Sequence, residues 1–282
     1  FCQNDVQAAE KMLEVHLVWW SEFGISCGVY RCVQIKCSAT MFHLDSVGIA
    51  STPEAFDDIA SSVIAARDQE TGEPFSREEL IDQLGVFFLA GHETTASALT
   101  WAFYILADQP HWLARLREEI ATVVGDAPMS FEHTRQLPLT KAFFKETLRL
   151  YPPITFMPRV ALREATVGGR RLRKGALVMI APWTLQRHSK WWPDPHAFKP
   201  ERFLPEQEAT LVQGAYIPFG QGPHTCVGAG FAQTESVLIL AELVRRFDWL
   251  LEPGQTVRPA ARMTTRPADQ VMLHVRPPRP QD

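Results

Sequence analysis

Ser76-Arg-Glu-Glu puts Glu79 three residues after a serine, the sequence form of a capping box, and opens an apolar run that ends only at Asp108-Gln109-Pro110. Leu80, Leu84, Phe87, Leu99, Trp101, Phe103 and Leu106 are spread around most of this run rather than along one stripe. A helix of about thirty residues is roughly 45 Å long at ~1.5 Å per residue. One that is apolar nearly all round is expected to cross the middle of a protein, not to lie on its surface. The fold must be large enough to enclose it, and 282 residues allow such a core.

Further elements follow in order. Pro110 opens a second helix as a first-turn proline, with Leu113, Leu116 and Ile120 on one face and Gly125 at its end. A third runs from about Thr140 to Leu150 and is stopped by Tyr151-Pro152-Pro153. Prolines then become frequent and the pattern turns irregular. Thr166-Val167, Gly168-Gly169 and Arg170 to Leu172 form a predicted hairpin, Ala176 to Ala181 a predicted buried strand, and Val271 to Val275 a predicted edge strand. A last helix is expected from about Gly228 to Phe247. The fold class is mainly α with small β-sheets. Residues 1–50 mix tryptophans, cysteines and short apolar pieces without periodicity or clean caps, so a boundary falls near Ser51. The chain divides into an atypical segment, 1–50, and a regular part, 51–282.

A net charge of −4 gives no reason to expect nucleic acid or an anionic membrane as a partner. The most apolar windows, Leu84 to Ala90 and Val237 to Val244, are too short for a membrane span. Asp5, Glu10 and Glu14 interrupt the amino terminus before a signal-type apolar region forms, so the expected location is cytoplasmic. Cys2, Cys27, Cys32 and Cys37 fit no zinc spacing and are expected to be inert small hydrophobes. Cys226 stands apart from them.

Three stretches carry unusual chemistry. At the midpoint of the long helix, "AGHETTAS" (Ala90 to Ser97) places a glycine and a glutamate where an apolar helix would avoid both. Gly91 would let a flat ligand approach, while Glu93 and Thr94 would handle protons. In the alternative, Glu93 lies on an exposed strip and Thr94 bonds back to a carbonyl one turn earlier. In the third helix Glu146 and Arg149 share a face among Phe143, Phe144, Leu148 and Leu150. Buried there, the pair would need further partners, of which Arg202 in "KPERFLP" is one candidate; exposed, it would be an ordinary surface pair. Finally, "FGQGPHTCVG" (Phe219 to Gly228) surrounds Cys226 with glycines just before a helix amino terminus, a setting that stabilises a thiolate. Such a thiolate suits a single axial ligand on a planar metal macrocycle.

With "AGHETT", "ETLR", "PERF" and "FGQGPHTCVG" occurring in this order, the sequence resembles the haem-thiolate monooxygenases, the cytochrome P450 family. The resemblance covers about Ser51 to Asp282 and implies the carboxy-terminal part of the family's haem domain, a cytochrome P450 fold that is amino-terminally truncated. It implies haem b (iron protoporphyrin IX) as cofactor, with Cys226 as the metal ligand in a loop shaped by Phe219, Gly222 and Gly228. It implies Glu93 and Thr94 as the catalytic pair delivering protons to dioxygen on the opposite face, beside Gly91. Glu146, Arg149 and Arg202 become a structural triad bracing the cysteine loop, and Arg159 pairs with a haem propionate. His224 stands where the family most often has arginine, and it would serve the other propionate more weakly and with pH dependence. The family's amino-terminal half is not visible in residues 1–50, as in a truncated gene product or one with an altered reading frame.

The implied activity is insertion of one oxygen atom from O2 into a small apolar organic substrate. "LTW" after Glu93-Thr94 and "ITFMPR" after Pro153 suggest an apolar pocket wall, open to fatty acids, terpenoids, steroids or aromatics. Electrons are expected from a separate ferredoxin or flavoprotein reductase docking near the Cys226 side. Two rivals remain: a haem-binding or structural remnant without turnover, and a zinc or thiol-redox protein using the amino-terminal cysteines.

Overall fold

The computed structural model describes residues 59–68 and 70–278 and the backbone of strand β1 (Arg31–Gln34). Cys2, Cys27, Cys37 and the boundary near Ser51 lie outside the described residues. After a short helix α1 (Ile59–Ala65), the capping box forms as the sequence requires. The Glu79 amide donates to Ser76 Oγ at 3.3 Å and the Ser76 amide to Glu79 Oε2 at 2.8 Å. Helix α2 (Arg77–Asp108) follows, and only its carboxy-terminal half is enclosed. Ala98, Trp101, Ala102, Phe103 and Leu106 are buried. Val86 and Leu89, by contrast, are 61% and 57% exposed, with Phe87 and Phe88 exposed beside them. The expectation of a helix crossing the middle along its whole length is thus corrected for its first half.

The core is built by α2 with α3 (Pro110–Val124), α5 (Pro138–Leu150) and α8 (Ala229–Arg246). Trp112, Leu116 and Ile120 of α3 meet Phe143, Phe144 and Leu148 of α5 and Leu240, Ala241 and Val244 of α8. Trp101 stacks on Tyr151 with ring centroids 3.9 Å apart. A charged side chain from α3 closes each of two helix ends. Glu119 accepts from the Leu139 and Thr140 amides at the start of α5, at 2.6 and 2.9 Å, and Arg117 donates to the Val244 and Phe247 carbonyls at the end of α8. Short helices α4 (Phe131–Arg135), α6 (Pro182–Leu185) and α7 (Pro205–Glu208) lie in the connections.

The sheets are small. β2 (Met157–Val160) pairs with β5 (Leu177–Ile180), and the predicted hairpin is β3 (Ala165–Val167) with β4 (Arg170–Leu172), turning at two positive-φ glycines, Gly168 and Gly169. β6 (Asp248–Leu251) and β1 flank β9 (Met272–Arg276) in an antiparallel sheet, while β7 (Pro259–Ala261) pairs with β8 (Thr265–Pro267). Two sequence expectations change here. The apolar run of β5 is not buried: among the described residues β5 has only β2 beside it, and Leu177 and Met179 remain exposed. β9 is a central strand rather than an edge one, because a strand from the first fifty residues supplies its second partner.

Among the described residues no helix is long and apolar enough to cross a membrane. The exposed quartet Val86 to Leu89 should make residues 1–282 in isolation bind an apolar fluorescent dye strongly and self-associate. Charged substitutions at Val86 and Leu89 are expected to reduce both effects. A monodisperse, dye-silent preparation of the unmodified chain would contradict this.

Candidate functional site

Cys226 is a free, exposed thiol on a loop held shut by its own backbone: its amide donates to the Phe219 carbonyl at 2.8 Å. Gly220 and Gly222 have φ of +77° and +78°, the left-handed region that side chains disfavour. A Cβ on Gly220 would lie 3.5 Å from the His224 carbonyl oxygen and from Met157 Sδ, ordinary contact distances, so the backbone angle is what asks for glycine there. Strand β2 therefore runs against the cysteine loop, and two residues after Met157 it carries Arg159, which is exposed with Nη1 donating to the Pro158 carbonyl. His224 is exposed in the 3-10 turn Gly222–His224. Gly228 caps α8, and a Cβ on it would come within 3.9 Å of Cys226 Sγ.

A second feature is a cluster of charge centred on Glu146 and Arg149, both fully buried. Arg149 uses all five of its N–H donors. Nε and Nη2 donate to the two Glu146 carboxylate oxygens at 2.7 and 2.8 Å, and the remaining bonds go to the carbonyls of Gln186, Pro195 and Ala197. Glu146 also accepts from the Lys199 amide at 2.8 Å. Arg202, on the 3-10 turn Pro200–Phe203, brings Nε within 3.5 Å of Glu146 Oε1 and donates to the Pro193 and Asp194 carbonyls. Burial pushes the Glu146 carboxyl above its ordinary value, against the pull of the Arg149 hydrogen bonds and charge. The three residues singled out in the sequence come together, and the surface-pair alternative does not hold for Glu146 and Arg149.

The middle of α2 matches neither sequence alternative whole: Thr94 bonds back along the helix as the second expected, but Glu93 does not lie on an exposed strip. Glu93 is buried, not on an exposed strip, and it accepts from Thr264 Oγ1 at 2.7 Å and from Arg266 Nε at 2.7 Å, with Arg266 Nη2 also in contact. Ser97 Oγ and Trp101 Nε1 donate to the Thr265 carbonyl at 2.6 and 2.9 Å. Glu93, Ser97 and Trp101 are four apart, so one stripe of α2 fastens strand β8 along the helix. Thr94 Oγ1 donates to the Ala90 carbonyl one turn earlier at 2.6 Å. A Cβ added at Gly91 would meet nothing within 4 Å, so open space lies beside the helix there. Trp101, placed by sequence in a pocket wall, belongs to the core.

Three contributors were not found from sequence. Thr264 and Arg266 reach Glu93 across more than 170 positions, and nothing local in "MTTRP" marks them as its partners. Gln186, fully buried, sits in "TLQRH" with no periodic or motif signal.

The described residues thus offer one exposed soft ligand on a backbone-closed loop, an exposed arginine and histidine on the strand and turn next to it in the fold, open space at Gly91 and a buried charge cluster. The model of the family described as Cytochrome P450 matches residues 50–278, and the chain belongs to that family. It is 39% identical over 207 residues to cyclooctatin synthase of Streptomyces melanosporofaciens, covering 73% of this chain and 45% of that protein. It is 36% identical over 208 residues to pentalenene oxygenase of Streptomyces avermitilis, covering 74% and 46%. Among solved structures, the haem domain of cytochrome P450DA superposes with a TM-score of 0.72 at 32% identity, covering 78% of this chain and 49% of that one. The chain spans about half the length of the curated relatives it matches.

The family implies haem, and the residues present fit it. The exposed Cys226 thiol, on a loop that turns at two positive-φ glycines, is a soft sulfur donor of the kind that haem iron takes. Arg159 and His224 are both exposed and carry nitrogen donors of the kind that bind carboxylates.

Proposed function

We propose that this chain carries the haem-binding half of a monooxygenase that inserts one oxygen atom from O2 into an apolar organic substrate. The observation that carries the reading is the exposed, unpaired Cys226 on a glycine-shaped loop at the head of α8. Haem b bound there would supply the redox centre, and a thiolate ligand donates electron density that favours O–O cleavage.

The chain's own residues divide the work. Cys226, at the head of α8, would be the thiolate ligand of the haem iron. Arg159 and His224 take the carboxylates of the cofactor, while Phe219, Gly222 and Gly228 keep the loop clear for it. Glu146, Arg149 and Arg202 brace the loop from behind. On the other side Gly91 leaves room, Thr94 holds a proton at its hydroxyl, and Glu93 relays one. The relay works against the contacts that Glu93 makes: swinging towards solvent means leaving Thr264 and Arg266. A substrate of terpenoid character is in line with a relative named for its action on pentalenene. Electrons would come from a separate ferredoxin or flavoprotein reductase on the Cys226 side. The second reading, haem binding without turnover, is favoured by the exposed apolar start of α2.

The test is stoichiometry with a surrogate redox partner, measuring product, hydrogen peroxide and reduced cofactor consumed. The expected result is product formation that Thr94→Ala diverts to hydrogen peroxide at unchanged electron consumption. Glu93→Gln should slow turnover by ~10²-fold or more, the scale on which acid–base groups act. No product with full haem loading would favour the second reading. Unchanged coupling in both variants would leave Glu93 as a pin for β8 and Thr94 as a helix-bonded hydroxyl.

A further inference from the structure

Gln186 connects the buried charge cluster to the cysteine loop through hydrogen bonds joined by short stretches of backbone. Its backbone carbonyl accepts from Arg149 Nη1 at 2.8 Å. Its side-chain Nε2 donates to the Leu148 and Arg149 carbonyls at 3.0 and 3.1 Å, closing orphan acceptors in the last turn of α5. Its Oε1 accepts from the Ile217 amide at 2.9 Å. The Gly220 amide donates to the Ile217 carbonyl at 3.1 Å, and the Cys226 amide to the carbonyl of Phe219, the residue before Gly220, at 2.8 Å. The orientation of the Gln186 amide is fixed by its partners, because two carbonyls face its nitrogen and an N–H faces its oxygen.

We infer that Gln186 is a positioning residue for Cys226, transmitting the placement of the Glu146–Arg149 cluster to the loop that carries the sulfur. No apolar residue can substitute for it, since two carbonyls and one amide would be left buried without partners. Arg149 fixes α5 and the segment around Pro195 and Ala197. Gln186 bonds to both α5 and the chain entering the loop, at Ile217, next to Tyr216, whose hydroxyl donates to the Lys145 carbonyl of α5 at 3.0 Å. The inference rests on the reading of Cys226 as the haem ligand, but one of its measurements does not involve haem.

That measurement is amide hydrogen exchange on the unmodified chain. The Ile217 amide, outside any helix or strand, is expected to exchange as slowly as the amides of α5, and much more slowly than those of Gln221 to Thr225. Exchange of Ile217 at the rate of the loop would overturn the inference. The second measurement compares haem-loaded Gln186→Met with whichever of Ile120→Val and Ile120→Ala matches its loss of melting temperature, Ile120 being a core residue of α3. In reduced, carbon monoxide-treated samples, Gln186→Met should move a large share of the red-shifted Soret band back to the unshifted position, while the matched core variant should not. Identical band positions at matched stability would overturn the inference. An unmodified protein whose Soret band is not red-shifted would instead overturn the ligand reading and leave the exchange result standing.

Discussion

Arg149→Ala should abolish most soluble, haem-loaded protein. The substitution leaves the Glu146 carboxylate at 0% exposure with two of its three closest donors gone, and strips the Gln186, Pro195 and Ala197 carbonyls of the bonds that gather them. Breaking a buried pair from one side typically costs ~3–5 kcal/mol, a large share of the ~5–15 kcal/mol of a whole domain. Arg149→Lys should rescue little, because an ammonium has three donors on a flexible stem where five are used in a planar fork. The deficit should also depend on pH. Burial already raises the Glu146 carboxyl, and removing Arg149 removes the main opposing influence. The folded state then binds a proton more tightly than the unfolded state, so Arg149→Ala should regain stability as the pH falls towards the ordinary carboxylate range and lose it as the pH rises. Thermal melts of the apo-protein across that range check the sign. Normal yield and haem content at all pH values would mean that the cluster is not what holds this part of the fold.

Cys226→Ser should do the reverse, sparing the fold and removing the chemistry. The side chain is exposed and makes no packing contact that the core needs, and substitutions of that kind usually change stability by within about 0.5 kcal/mol. The Phe219 carbonyl still accepts the residue's amide, so the loop keeps its closure. Product formation with a surrogate redox partner should fall to background while the apo-protein melts as before. Retained turnover in Cys226→Ser would remove the thiolate from the account.

The parts of this molecule that were legible in its sequence are those dictated by local physics. The capping box at Ser76, the first-turn proline at Pro110 and the Gly168-Gly169 turn each satisfy their own hydrogen-bonding and φ requirements within a few residues, and each is found where the residues put it. Glu146 and Arg149 were legible as a pair because they lie on one helix turn. What was not legible depends on partners far along the chain. β9 looked like an edge strand because its second neighbour comes from a segment with no regular pattern of its own. β5 looked buried because an apolar run does not reveal whether anything covers it. Glu93 looked like a polar residue with no packing reason, yet Arg266 and Thr264 supply one, and through them it fastens β8 to the helix. Gln186 is the clearest case: a single glutamine whose importance comes wholly from which backbone groups end up around it.

The most direct measurement is the difference spectrum of the reduced protein with and without carbon monoxide, recorded for the unmodified chain and for Cys226→Ser. The account predicts the strongly red-shifted Soret band of a thiolate-ligated haem in the first and its disappearance in the second. The same red-shifted band in both, or none in a fully haem-loaded unmodified protein, would contradict it.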